Sequence, residues 1–277
     1  MDYCSHTRRC VDRRAFEWSF VTIQAGVCKT VMPPGRIKQM KRALSRGAMA
    51  ARISVAAQAP APVRRWFAPA VGYADMLLFD HLFVRVLFQN RHRLNNRAWR
   101  AAQPLPYQLS SIKALGVRTV INLRGNAETP TARFERAACE KLGLAYVDFR
   151  LRSRDAPSKA ELHGLRRIYE TVEHPILLHC KSGADRAGLA SVLYLYLVDQ
   201  VPMAEAKRQL SLRYGHIRHA DTGVLDVFIE QYLAHAAIDP IDFFTWVDRH
   251  YVPADLKLSF RSRGWANRIV DGLFGRE

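Results

Sequence analysis

The chain is short of acidic residues, of cysteine and of long apolar runs, and each shortage narrows what it does. Its 277 residues hold 25 Asp and Glu against 42 Lys and Arg, a formal net charge of +17. Most of that excess sits early: residues 1–98 carry 17 Lys and Arg against 5 acids, net +12, which leaves +5 for residues 99–277. The five cysteines are odd in number and scattered. Such usage argues against a disulfide framework and for a reducing, cytoplasmic compartment. Cys4, His6 and Cys10 approach a metal-ligand spacing, but they stand alone in a basic arm, so neither metal nor cofactor is expected. The most apolar run, Tyr73 to Phe88, is broken by Asp75, Asp80, His81 and Arg85. It falls short of the roughly 20 residues a membrane span needs. It reads instead as a helix packed on the body of the protein, or lying flat on a bilayer. No secretory signal is expected, because no apolar stretch of suitable length follows the early charges.

The organisation follows from these patterns. Residues 1–70 show no sustained periodicity and end in an Ala/Pro/Arg stretch, the mark of a basic, disordered arm in which Met40 and Met49 are alternative starts. Residues 71–98 read as an amphipathic helical lead-in, 99–236 as an alternating α/β domain, and 237–277 as a helical extension. In that extension Trp265, Ile269, Leu273 and Phe274 recur at helical spacing. Within the domain, β-branched residues predict a strand over 117–123. Strand-like runs also cover 144–149 and 176–179. Helices are expected over 106–115, 131–142, 159–173, 185–199, 203–212 and 222–235. This alternation favours a central, mostly parallel sheet of four to five strands flanked by helices.

The most informative run is Ile176-Leu177-Leu178-His179-Cys180-Lys181-Ser182-Gly183-Ala184-Asp185-Arg186-Ala187-Gly188. A short apolar strand delivers a cysteine, five residues intervene before an arginine, and an apolar helix follows. A loop that holds phosphate needs backbone N–H groups turned inward, and Gly183 supplies the positive φ that curls them. The helix N-terminus and the Arg186 fork add positive charge at the same place. A cysteine there ionises readily, from about 8.5 down to roughly 3.5–7.5.

His179 through Gly188, with Arg118-Thr119-Val120-Ile121-Asn122-Leu123-Arg124-Gly125 upstream, resembles the cysteine-dependent protein tyrosine and dual-specificity phosphatases. The nearest likeness is to their bacterial dual-specificity-like branch, over about half the chain, Trp99 to Ala236. The resemblance implies Cys180 as nucleophile, Arg186 as phosphate clamp, and Lys181, Ser182, Gly183, Ala184 and Asp185 as the rest of the phosphate-binding loop. It implies a phosphocysteine intermediate and no cofactor. The leaving-group acid stays open between Asp155, on a loop before Pro157, and Asp185 inside the loop itself, with Asp148 behind them. Relatives place Ser or Thr directly after the arginine; Ala187 departs from that and puts turnover in question.

The implied substrate is a phosphorylated protein, tyrosine or dual specificity. Phospholipid headgroups at an anionic membrane surface are the alternative, suggested by Lys181 and the basic arm. A pseudophosphatase that only binds phosphate is a second alternative. Nucleic acid is a weaker partner, resting on charge alone, and the oligomeric state is not legible. Arg124 reads as a solvated loop residue, Cys139 as helix core, and His216 and His219 as capping or surface groups near the pocket.

Overall fold

β5, Ile176–Cys180, is buried at every position. Burial on both faces is what a central parallel strand requires, and its Ile-Leu-Leu start satisfies it. The computed structural model describes residues 88–125 and 128–260. Around β5 stand β1 (His92–Arg93), β2 (Ala98–Ala102), β3 (Thr119–Asn122) and β4 (Ala145–Asp148), in the order β1-β2-β5-β3-β4. Only β1 is antiparallel to its neighbour.

Parallel neighbours need crossovers, and helices supply them. α1 (Leu109–Ala114) joins β2 to β3, α2 (Pro130–Lys141) joins β3 to β4, and α3 (Lys159–Thr171) joins β4 to β5. α2 starts on Thr129, whose side chain accepts from Ala132 N, with Pro130 in its first turn. α3 starts on a reciprocal box in which Ser158 and Glu161 satisfy each other's backbone N–H groups; both starts follow the usual helix-entry chemistry. After β5 come α4 (Asp185–Leu197), α5 (Met203–Ala206), α6 (Val224–Ile238) and α7 (Phe243–Arg249). Residues 253–260 are again helical.

The expected α/β architecture with five strands is therefore present. Three local expectations change. Residues 88–98 were expected at the end of a helical lead-in, but they form β1 and a tight turn into β2. Asn95 Oδ1 accepts from Arg97 N at 2.7 Å and Ala98 O accepts from Leu94 N at 2.9 Å, a local Asn turn that outcompetes helix. The helix expected over 203–212 breaks after Ala206 into 3-10 turns at Lys207–Gln209 and Leu212–Tyr214, closed by Gly215 at φ +78. The boundary expected at residue 236 is not a packing boundary. Phe243, Trp246, Tyr251 and Leu256 belong to the same core as β5 and α4.

That C-terminal packing is aromatic. Trp246 stacks on Tyr251 with ring centroids 5.2 Å apart, and Phe228 of α6 meets Trp246 at 5.9 Å and Tyr251 at 5.0 Å. Tyr251 also donates from its hydroxyl to Pro157 O at 2.8 Å, tying this end to the loop before α3. The arm over 1–70 with Cys4, His6, Cys10, Met40 and Met49, the lead-in over 71–87, and the stripe from Trp265 to Phe274 lie outside the described residues.

Trp246→Ala removes the ring at the centre of this cluster and is expected to destabilise the whole phosphate-loop domain by roughly 3–5 kcal/mol. Urea unfolding followed by far-UV circular dichroism checks it. A single transition at lower urea is the expected result, and unchanged stability would show residues 237–256 to be a dispensable appendage.

Candidate active site

Between Cys180 and Asp185 the chain reverses in four residues, Lys181 to Ala184, and Gly183 makes the reversal possible. It adopts φ +75, and a Cβ there would lie 2.6 Å from Ala102 N and 2.7 Å from Ala101 C. Glycine is thus required both by its dihedral and by the contact with β2. α4 then begins at Asp185 with Ala184 as its N-cap and no side-chain capping bond. α3 satisfies its first N–H groups internally; α4 leaves its own available to an anion at the loop.

Lys181, Ser182, Ala184, Asp185 and Arg186 line a cleft of about 800 Å³, with Ser153, Arg154, Leu212 and Arg213 on its walls. Cys180, 2 % exposed, lies at the base of the loop and packs with the main core. Of the residues read from the sequence, Lys181, Ser182, Ala184, Asp185 and Arg186 thus share one cleft, while Cys180 and Gly183 adjoin them in the chain without lining it. The cleft exceeds the needs of one phosphate and has room for the group that carries it.

The two favoured acids stand in different places. Asp185 lines the cleft, and its Oδ1 lies 2.8 Å from Nδ1 of His216. His216 is buried, and its Nε2 lies 2.7 Å from Asp226 Oδ2. Desolvation opposes the charge on this imidazole, but hydrogen bonds from Asp185 and Asp226 outweigh it and raise its pKa from 6.5 to about 9. His216 was expected as a cap or surface group and is instead a buried imidazolium between two carboxylates.

Asp155 turns elsewhere. It accepts from Lys257 Nζ at 2.9 Å and from Ala156 N at 3.0 Å, with Arg152 at 4.0 Å. Burial pushes its pKa up, but Lys257, Ala156 and Arg152 prevail and hold it below the usual carboxylate value. Asp148, at the end of β4, accepts from Asn122 Nδ2 at 2.9 Å.

A second buried network lies behind the loop. His179 Nε2 and Glu135 Oε1 are 2.9 Å apart, both wholly buried, though out of line for a hydrogen bond. Glu135 Oε2 accepts from Gln103 Nε2 at 2.7 Å, and Gln103 Oε1 in turn accepts from Arg124 Nη1. Arg124 is thus a structural tie and not a solvated loop residue. Cys139 is core as expected, its thiol pushed up to about 12 by burial and by Glu135.

Sequence reasoning missed Arg100, Gln103, Glu135 and Asp226. Arg100 had a readable signal, a charge inside the otherwise apolar run Ala98 to Ala102. Asp226 had the same signal within Val224 to Phe228. Gln103 had none. Among the described residues no group of three or more His, Cys, Asp or Glu is arranged to hold a metal ion.

Residues 87–220 match the family model described as DSP-PTPase phosphatase fused to NAD+ kinase. The match supports a dual-specificity/tyrosine phosphatase-like domain over that segment. The domain is also similar to the beta-lactamase hydrolase-like protein of Xylella fastidiosa strain 9a5c, 29% identical over 141 residues, which are 50% of this chain and 31% of the relative. The chain thus spans about three-tenths of the length of the curated relatives it matches. Among solved structures, a Cys-to-Ser variant of P. aeruginosa TpbA in complex with pTyr is 19% identical. That match covers 62% of this chain and 90% of that one, with a TM-score of 0.43. PTPMT1 in complex with PI(5)P is 23% identical over 53% of this chain and 98% of that one, with a TM-score of 0.38.

The His216 pair makes the phosphatase domain sensitive to base. Its folded pKa is raised above the unfolded 6.5, so its stabilisation is complete below pH 6.5 and is lost as pH rises through about 9. Urea midpoints of the wild type and His216→Gln should differ most near pH 6 and converge by pH 9.5. A constant difference would contradict the charged pair.

Proposed function

We propose that the domain is a phosphomonoester hydrolase in which Cys180 attacks phosphorus, expels the alcohol and carries the phosphoryl group as a phosphocysteine until water releases it. The observation that supports this best is the placement of Arg186, Asp185 and the uncapped α4 N-terminus on one cleft, with Cys180 at the base of the same Gly183-bearing loop. Phosphoryl transfer asks a protein chiefly for positioning and charge stabilisation, and these parts supply both.

The leaving oxygen needs a proton, and we assign it to Asp185. Of the two favoured carboxyl groups only Asp185 lines the cleft, and the proton it would relay is held by its charged partner His216, while Asp155 is engaged by Lys257. Ala187 is wholly buried where related phosphatases carry a hydroxyl that assists the sulfur. Hydrolysis of the intermediate is therefore the slow step. Para-nitrophenyl phosphate should give a burst of product followed by slow turnover, and Cys180→Ser should abolish both. Asp185→Asn should slow poor leaving groups about 10²–10⁴-fold, with Asp155→Asn near wild type. Phosphate release that survives Cys180→Ser would sink the mechanism.

The cleft wall also favours one substrate class. Arg154, Lys181 and Arg213 surround Arg186, and two apolar side chains stand open to solvent nearby, Phe88 at 72% exposed and Leu212 at 77%. Clustered cations beside exposed apolar groups suit an anionic headgroup at the edge of a lipid surface. A phospholipid phosphate is thus the reading we favour over a phosphorylated protein. Among the described residues no helix is long and apolar enough to cross a membrane. Vesicles containing phosphatidylinositol phosphate should be dephosphorylated faster than a phosphotyrosine peptide, and Phe88→Ser with Leu212→Ser should remove the difference. Equal rates on vesicles and peptide would favour a protein substrate.

A further inference from the structure

We propose that Arg100 and Asn90 form a clamp that sets the phosphate loop by holding its carbonyls, so that its N–H groups face the ligand. This deepens the phosphatase reading and rests on it.

Four consecutive loop carbonyls accept hydrogen bonds from the segment leading through β1 and β2. Lys181 O accepts from Gln103 N at 3.5 Å, and Ser182 O from Asn90 Nδ2 at 2.9 Å. Gly183 O and Ala184 O both accept from Nη2 of Arg100, at 2.6 and 3.1 Å. A trans peptide unit points its C=O and its N–H in opposite directions. Pinning these four carbonyls toward β1 and β2 therefore turns the N–H groups of Ser182, Gly183, Ala184 and Asp185 the other way, toward the cleft. None of those four amides has a protein acceptor among the described residues. An anion in the cleft would complete them.

Arg100 is itself held for the task. It is wholly buried, its Nη1 donates to Gln209 O at 2.7 Å and to Gln209 Oε1 at 2.8 Å, and its guanidinium lies 4.0 Å from the centre of the Tyr214 ring. Asn90 bridges the same elements by donating to Tyr214 O at 2.9 Å. All the acceptors of Arg100 are neutral; no carboxylate pairs with it among the described residues. A buried cation without a counter-ion is costly, and an anion held by the loop beside it would supply the missing negative charge. Desolvation draws the pKa of Arg100 down to about 10, and Tyr214, Cys180 and Asp185 oppose the fall, so it stays charged at neutral pH.

Arg100 does not touch substrate in this arrangement; it acts as a positioning residue through the loop. The test measures the affinity of inorganic phosphate, read as protection of Cys180 from iodoacetamide, together with kcat and KM on para-nitrophenyl phosphate. Arg100→Met should weaken phosphate at least tenfold and lower kcat/KM by about 10²–10³-fold, the loss of one well-placed oxyanion donor set. Arg100→Lys keeps the charge without the fork and should recover part of the affinity. Asn90→Ala, which leaves the buried cation in place, should weaken phosphate about three- to tenfold, and it decides the matter if Arg100→Met does not fold. Folded variants that protect Cys180 as well as wild type does would overturn the clamp while leaving the phosphatase reading intact. Wild-type protein that phosphate does not protect and that releases none from substrate would overturn both.

Discussion

The seam between β2 and the phosphate loop governs the rest of the molecule. The parallel pairing of β2 with β5 runs to its last register pair, Ala102 beside Cys180, and immediately beyond it the chain must leave the sheet and enter α4. It turns against the β2 backbone so closely that a single Cβ at Gly183 would overlap Ala101 and Ala102. The small Ala101 and Ala102 at the end of β2 allow this approach, and Arg100 before them donates from its side chain to the loop carbonyls. The sheet order, with β5 between β2 and β3, follows from the same need. Cys180 emerges where two parallel neighbours fix its strand on both sides.

Charge is then distributed around that seam with more cation than acid. Arg100, Arg186, Lys181 and the α4 N-terminus surround the loop, while the nearby acids are spoken for: Asp185 and Asp226 hold His216 between them. Buried ion pairs of this kind add little net stability over apolar packing, because desolvation offsets much of their attraction. Their use here is geometric. His216 fixes the Asp185 carboxylate at the rim of the cleft, and Glu135 is kept beneath His179 by Gln103 and Arg124.

Much of this was legible in the sequence, for local reasons. The strand that delivers Cys180, the left-handed Gly183 and the apolar face of α4 are set by residues adjacent in the chain, so periodicity and turn chemistry reveal them. β2 was not legible: Ala-Trp-Arg-Ala-Ala has weak strand propensity, and it is a strand because β5 and β1 pair with it. The partners of the candidate acids were equally hidden. Asp155 meets Lys257 across 102 residues and His216 meets Asp185 across 31, distances over which no spacing rule operates. The helix expected at 203–212 failed for a related reason. Its interruption frees the Gln209 carbonyl for Arg100, a tertiary demand that outweighs local propensity.

The same long-range ties change what the 153–158 loop is for. A loop carrying a general acid must be free to bring it to the substrate. This one is fastened at several points: Tyr251 donates to Pro157 O, Lys257 engages Asp155, and the Ser158–Glu161 box anchors the start of α3. The aromatic cluster that buries Trp246 and Tyr251 holds those fasteners in turn, so the C-terminal helices brace the cleft wall. Between the anchors, Arg154 is left exposed at the cleft and forms no hydrogen bond or ion pair among the described residues. A loop anchored in its backbone that presents a guanidinium at the cleft would favour substrates by charge. Under the proposed assignment of the acid to Asp185, the braced loop becomes an element of substrate choice, and catalysis does not depend on its closure.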